Sequence, residues 1–230
     1  MILGALLDVG LPMEAWRHEL AHLGLQGYTI DVKKTQQHHL HAIDILITST
    51  EPQPQRSFKD IKLLLKKSTL NTKVKNQSLK IFHALAAAEA RIHGCSLDDV
   101  HFHEVGALDS IIDIVGAVIG FHHLAITELY CSPLPLGTGF ISCQHGRIPV
   151  PAPATLELLR GVPVYQTNRK QELVTPTAAA ILSTMVKKFG EMPALSPLKI
   201  GYGAGKTQSD YPAVVRLILG EKAIIKKRSL

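Results

Sequence analysis

Residues 109–124 read DSIIDIVGAVIGFHHL, and this stretch decides what kind of fold the chain can adopt. Apolar side chains occupy most positions around the helical turn, which predicts a helix that is buried on nearly all sides. Asp109 and Asp113 are four residues apart and share one helix face, which continues through the small residues Gly116 and Gly120. Two acids on a buried helix are costly unless a cation or hydrogen-bond donors meet them.

Helices and short strands alternate along the rest of the chain. Apolar alternation predicts strands over residues 28–33 and 43–48, and apolar residues at helical spacing predict a helix over 78–93. Another helix is expected after Thr175, which is suited to capping a helix N-terminus and is followed by Pro176 at the first helical position. This mixture predicts an α/β or α+β fold in one compact domain, which can divide into two lobes.

Changes in composition set the expected boundaries. They give an N-terminal α/β lobe at 1–50, a Pro/Gln-rich linker at 51–57, a main portion at 58–220 and a basic tail at 221–230.

The composition is that of an ordinary soluble protein, with 46% hydrophobic residues, 19% charged residues and a net charge of +6. No aromatic residues are interleaved with the basic clusters, so nucleic-acid binding is not expected. Three cysteines that lie far apart indicate neither a disulfide framework nor a thiolate zinc site. No apolar stretch reaches the ~20 residues of a membrane helix, and we expect a cytoplasmic protein.

The densest polar cluster starts just before the 109–124 helix. His101 and His103 are two residues apart, so they point the same way in an extended segment, and Glu104 follows directly. With Asp109 and Asp113 they form an imidazole and carboxylate set that suits a borderline ion such as nickel or zinc. The alternative is that the histidines bond to backbone and the aspartates cap helices or pair with Lys or Arg. Two histidines and three acids in thirteen residues favour a metal or catalytic site, although the spacing matches no common zinc motif.

Three further segments are weaker candidates. His145 lies on a short loop before a rigid proline-rich stretch, which makes it the best second-site candidate. Thr175 and Thr177 at a helix N-terminus can bind an anion, or they can simply cap the helix. The glycine-rich segment Gly201–Lys206 is expected to be a loop between strands, and it either cradles a phosphate or forms a strand-end turn.

Six sequence motifs occur in an order that resembles the LarC family of nickel insertion proteins. They are LGALLDVGL (3–11), FHEVGALDSIIDIVGA (102–117), PLPLGTGF (133–140), HGRIPVPAPATLELLRGVPV (145–164), ELVTPTAAA (172–180) and GYGAGK (201–206). The resemblance implies a nickel chelatase of the lyase class, a cyclometallase. Such enzymes insert nickel into pyridinium-3,5-bisthiocarboxylic acid mononucleotide, with CTP required, and so make the nickel-pincer cofactor of lactate racemase.

The resemblance places the candidate residues within family motifs, and the roles of individual residues are inferred from their chemistry. The expected metal ligands lie in the family's HFHE and HG motifs and on the helix after the first of these: His101, His103, Glu104, Asp109, Asp113 and His145. Glu104 or His103 is the expected catalytic base, which removes the ring proton as the nickel–carbon bond forms. The expected contacts to the anionic substrate are Thr175, Thr177, Arg147, Gly203 and Lys206.

The chain also departs from the LarC pattern. Family members normally begin with a strand and a glycine-rich segment before LGALLD, and we expect this first strand and the C-terminal CTP-binding domain, with its divalent ion, to be absent. The expected partners are the mononucleotide, a separately encoded C-terminal half, the lactate racemase apoprotein and further copies of the chain in a homo-oligomer. The alternatives are a non-catalytic nickel-binding or delivery module, an inactive truncated relative, or a structural partner for the other half.

Overall fold

A computed structural model describes residues 1–54, 56–100, 102, 108–143, 146–206 and 210–223. These residues form a mixture of helices and short strands, so the predicted α/β class is confirmed. No helix in this part of the chain is long and apolar enough to cross a membrane.

The described helices are α1 (Ile2–Asp8), α2 (Met13–Ala21), α3 (Phe58–Lys67), α4 (Thr72–His93), α5 (Leu108–His123), α6 (Pro153–Leu158) and α7 (Pro176–Met185). The described strands are β1 (Tyr28–Gln37), β2 (Leu40–Ser49), β3 (Leu129–Cys131), β4 (Leu134–Leu136), β5 (Phe140–Cys143), β6 (Gly146–Pro149), β7 (Val164–Gln166), β8 (Val186–Phe189), β9 (Leu195–Ala204) and β10 (Val214–Lys222). The largest sheet has the order β1-β2-β9-β10, and the short strands pair as β3-β8, β4-β7 and β5-β6.

The four-stranded sheet consists of two antiparallel pairs joined by a parallel pairing. β1 and β2 are antiparallel, as are β9 and β10, and β2 pairs with β9 in parallel at Ile43 and Gly203. α1 lies directly on this junction, because a Cβ atom at Gly203 would be 2.6 Å from the backbone nitrogen of Ala5. At the other end of α1, the Asp8 carboxylate accepts a hydrogen bond of 2.7 Å from the Tyr202 backbone N–H.

The core is built around α5, as its apolar sequence predicts. Twelve of its sixteen residues are buried. Side chains of α1 and α2 pack directly against Gly116 and Gly120, the two glycines on the helix face that carries the acids. A Cβ atom at Gly116 would lie 2.8 Å from a ring carbon of Trp16, and one at Gly120 would lie 2.9 Å from Leu6. Close packing of neighbouring helices therefore explains these small residues.

Several element boundaries differ from the sequence expectation. The helix expected over 78–93 begins six residues earlier, at Thr72, because Asn71 caps it by accepting the Lys73 N–H. The helix after Thr175 has the predicted cap and ends at Met185. The expected loop Gly201–Lys206 is wrong for residues 201–204, which belong to β9. Glycine suits this strand because α1 packs closely against it.

Candidate functional site

The N-terminal ends of α1 and α5 lie at the same edge of the molecule. The two helices pack side by side in the same direction, since Leu3 contacts the position of Gly116 and Leu6 contacts that of Gly120. Asp113, in the second turn of α5, is therefore next to the start of α1, and Asp109 lies one turn before it.

The N-terminal end of α7 meets this edge as well. The Thr177 hydroxyl donates a hydrogen bond of 3.3 Å to the hydroxyl oxygen of Ser110, which lies in the first turn of α5. Thr175 caps α7, because its hydroxyl oxygen accepts the Ala178 N–H at 3.3 Å. The hydrogen bond between Thr177 and Ser110 thus places the N-terminus of α7 beside the part of α5 that carries Asp109 and Asp113.

Asp113 is the most strongly perturbed acid at this edge. Burial raises the pKa of its carboxyl from the usual 3.8 to about 6, and neighbouring Asp109 adds to the rise while the Met1 ammonium and Lys206 oppose it. Asp109 itself is exposed, and its carboxylate accepts the Ser110 N–H at 2.8 Å. A carboxylate that is costly to ionise at its site gains when a cation binds beside it.

Two charged residues from the sheet reach the same edge. Lys206, just after β9, is close enough to affect the pKa of Asp113. Burial lowers the pKa of the Met1 ammonium, and the negative charges of Asp113 and of Asp44 on β2 oppose this lowering. The two acids therefore lie near the start of α1. The sequence analysis missed Asp44, although a lone acid within the apolar run of residues 42–47 was a usable signal.

Four of the expected metal-site residues, His101, His103, Glu104 and His145, lie outside the described residues. Their neighbours Phe102 and Leu108 are described, and both side chains are buried in the core. In the part of the chain that is described, no group of three or more His, Cys, Asp or Glu side chains is arranged to hold a metal ion.

Two of the expected substrate contacts, Arg147 and Gly203, have surroundings that differ from those of the α5 acids. Arg147 is exposed on the β5–β6 hairpin, where its guanidinium lies 4.6 Å from the centroid of the Phe140 ring. Gly203 is buried in β9 beneath α1. Of the expected substrate contacts, Thr177 therefore bonds to α5 at Ser110 and Lys206 lies near Asp113, whereas Thr175 caps α7.

The family described as nickel insertion protein has a model that matches residues 1–230, which is the whole chain. The chain belongs to this family. Membership agrees with the resemblance found from the sequence motifs, and no solved structure gives a significant match.

Relatives in the nickel insertion family are similar along nearly the whole chain. A protein from Dictyoglomus thermophilum is 44% identical over 232 residues, and one from Geotalea uraniireducens is 47% identical over 228 residues. Both carry provisional names as nickel insertion proteins. A relative from Desulfitobacterium hafniense, 44% identical over 97% of this chain, is named pyridinium-3,5-bisthiocarboxylic acid mononucleotide nickel insertion protein. The chain spans 60%, 58% and 56% of the lengths of these three relatives.

For a nickel insertion family member, this edge joins two complementary chemistries. The α5 acids offer oxygen ligands to a cation, whereas Lys206 and the α7 N-terminus offer positive charge to an anion. The two sets are connected through the hydrogen bond between Thr177 and Ser110.

Proposed function

We propose that this chain takes part in the insertion of nickel into pyridinium-3,5-bisthiocarboxylic acid mononucleotide. We propose further that the edge formed by the N-terminal ends of α1, α5 and α7, which we call the α5 edge, holds the ion before transfer. Family membership over the whole chain and the name of the Desulfitobacterium relative support the reaction. The single observation that supports the location is Asp113, a carboxyl with a raised pKa that lies among buried apolar residues of α5.

Nickel is a substrate in this reaction and must be released, so its ligands have to bind it loosely. The carboxylates of Asp109 and Asp113, together with the imidazoles of His101 and His103, form such a set, because none of them is a thiolate. The N-terminal dipole of α5 stabilises the ionised acids and opposes a nearby cation. The absence of thiolate ligands and the repulsion by the helix dipole both weaken nickel binding, which favours release of the ion to the substrate.

The mononucleotide phosphate would bind beside the acids. Lys206 supplies a positive charge, and Thr175 and Thr177 lie at the N-terminus of α7. A phosphate in this position would direct the pyridinium ring toward the nickel ligands on α5. When the nickel–carbon bond forms, the ring carbon loses a proton, and Glu104 or His103 would accept it.

The decisive experiment measures nickel binding and nickel transfer in the same set of variants. Asp113→Asn keeps the shape of the side chain and removes its charge, so we expect weaker nickel binding in an equilibrium titration. Asp31→Asn is the matched control, because Asp31 is an exposed acid on β1. Unchanged nickel affinity in Asp113→Asn would exclude the α5 edge as the nickel site.

Mass spectrometry of the mononucleotide then tests insertion. In the presence of nickel, the mononucleotide, CTP and the expected C-terminal half, the wild-type chain should yield the nickel-containing product, and Asp113→Asn should yield less. Nickel binding without product formation would instead identify a delivery module. The expectations that CTP binds a separate domain and that lactate racemase is a partner stay predictions.

A further inference from the structure

Helix α2 carries a metal-ligand pattern at a distance in sequence from the HFHE segment. Residues 18–22 read HELAH, in which two histidines are separated by three residues and a glutamate follows the first. α2 is helical through Ala21, and His22 is its C-terminal cap. Residues four apart lie on one helix face, so His18 and His22 are neighbours on the surface of α2. The same pattern on a helix binds zinc in metallopeptidases.

A peptidase site does not fit the surroundings of this helix. Trp16 and Leu20 pack into the core, whereas His18 is exposed on the other side of α2. The Glu19 side chain is 41% exposed and the His22 side chain is 38% exposed. Within the described ranges no third acid, cysteine or histidine completes a ligand group with the pair. The motif therefore faces solvent rather than a cleft that could hold a peptide.

The geometry of the two rings suits a shared ion. The ring centroids of His18 and His22 are 5.1 Å apart, and the ring planes are inclined by 67°. Two imidazoles that bind one tetrahedral ion, each through a nitrogen about 2 Å from the metal, have ring centroids about 5 Å apart. The rings thus already have the separation that chelation requires, and only rotation about the side-chain bonds is needed to aim the nitrogens.

We propose that His18 and His22 form a second, exposed binding site for a borderline divalent ion such as Ni²⁺. Imidazole nitrogen is a preferred ligand of these ions, and water fills the remaining coordination positions. Glu19 lies close to the pair, with its Oε2 atom 3.9 Å from Nδ1 of His22, and its charge favours a bound cation. Two protein ligands and several waters make a site that loads and releases its ion readily.

The folded helix supplies most of the binding advantage. Once one imidazole has bound an ion, the second is already held within reach by the helix backbone, so its effective concentration is high. An unfolded chain does not hold the two rings together. Ions bound by this pair should therefore also stabilise the folded protein.

The test separates this pair from the HFHE segment by titrating a tag-free His101→Ala/His103→Ala chain with nickel chloride in a calorimeter. We expect one remaining site, and we expect either His18→Ala or His22→Ala to weaken it about tenfold or more, because a single imidazole has no chelate advantage. His123→Ala is the control, since His123 is an exposed histidine at the end of α5. It should leave the affinity unchanged.

A second readout covers the case in which the HFHE variant does not fold. Histidine ring resonances of the wild-type chain, followed by NMR during a titration with zinc chloride, should shift for His18 and His22 together. Nickel should also raise the Tm of the wild-type chain more than that of His18→Ala. Equal nickel affinity in His18→Ala, His22→Ala and their background would overturn the proposal. Because the calorimetric background already lacks His101 and His103, two ligands of the proposed insertion site, that result would leave the proposed function unaffected.

Discussion

The indole N–H of Trp16 donates a hydrogen bond of 3.0 Å to the carbonyl oxygen of Gly116, and both residues are buried. This bond fastens α2 to α5 about one turn beyond Asp113. The helix face that carries the acids at its N-terminal end is thus packed against Trp16 further along. This packing fixes the position of α5 relative to α2.

The two glycines of α5 should differ in their tolerance of alanine. In both Gly116→Ala and Gly120→Ala, alanine gains about 1 kcal/mol of helix propensity. The new methyl group at 116 meets the rigid, hydrogen-bonded Trp16 ring, whereas at 120 it meets the flexible end of Leu6. Overpacking costs about 1–3 kcal/mol. We expect a net loss of unfolding free energy for Gly116→Ala and almost none for Gly120→Ala, measured by urea denaturation; equal losses would contradict this.

Gly203→Ala should detach α1 from the sheet. Its methyl group would collide with the Met1 carbonyl oxygen and with the Ala5 nitrogen, and neither backbone atom can move without moving α1. We expect a loss of about 3 kcal/mol or more in unfolding free energy. Gly24→Ala is the control, because no atom lies within 4 Å of its Cβ position and only its positive φ of 75° opposes the change. Similar losses in both variants would show that α1 does not depend on this contact.

Removing the Asp113 charge should stabilise the metal-free protein above pH 6. The folded-state pKa of about 6 exceeds the usual 3.8, so ionisation is harder in the folded state than in the unfolded state. Stability is therefore lost as pH rises from about 4 to 6, by up to about 3 kcal/mol. Asp113→Asn should not show this loss.

Unfolding free energies measured from pH 4 to pH 7 with a chelator present test this prediction. Asp31→Asn should follow the wild-type profile, since Asp31 is exposed. A wild-type profile for Asp113→Asn as well would show that its carboxyl is not destabilised in the fold. Greater stability combined with weaker nickel binding would identify Asp113 as a residue retained for function.

Glu128 should secure the end of β10 in a pH-dependent way. Its carboxylate accepts hydrogen bonds from Lys187, Lys222 and Tyr130, the last at 2.8 Å, and the Lys187 bond contributes most to lowering its pKa to about 2. This stabilisation is present above about pH 4.5 and is lost as pH falls toward 2.

Glu128→Gln should accordingly lower the Tm at pH 7 and have little effect near pH 2. Hydrogen exchange of β10 amides should quicken in the same variant, because Lys222 is the last residue of that strand. Glu221→Gln provides the comparison, since Glu221 is an exposed acid on β10. If Glu221→Gln has the same effect, the general charge of β10 is responsible rather than these three bonds.

Local signals in the sequence located α4, α5 and α7. The apolar stretch 109–124 predicted α5 to within one residue, and the Thr175-Pro176 pair predicted the start of α7. These features depend on hydrophobic period and capping, which act over a few residues. The acids of α5 were also found this way, because their spacing of four residues stood out against an apolar helix.

Features that depend on distant residues were missed. Gly201 and Gly203 looked like a loop, since nothing nearby in sequence shows that α1 packs over them. The proximity of Asp44 to Asp113 depends on β2 and α5 meeting at α1, which no local pattern encodes. The HFHE segment was the strongest chemical signal in the sequence, and its histidines and glutamate stay predictions.

The parallel pairing of β2 and β9 at Ile43 and Gly203 has a consequence for biosynthesis. The two residues are 203 − 43 = 160 positions apart, so β2 cannot meet its neighbour until β9 has left the ribosome. At about 5–20 residues per second, this delay is roughly 10–30 s. During that time the edge of β2 lacks its β9 neighbour, and an unpaired strand edge can pair with another chain.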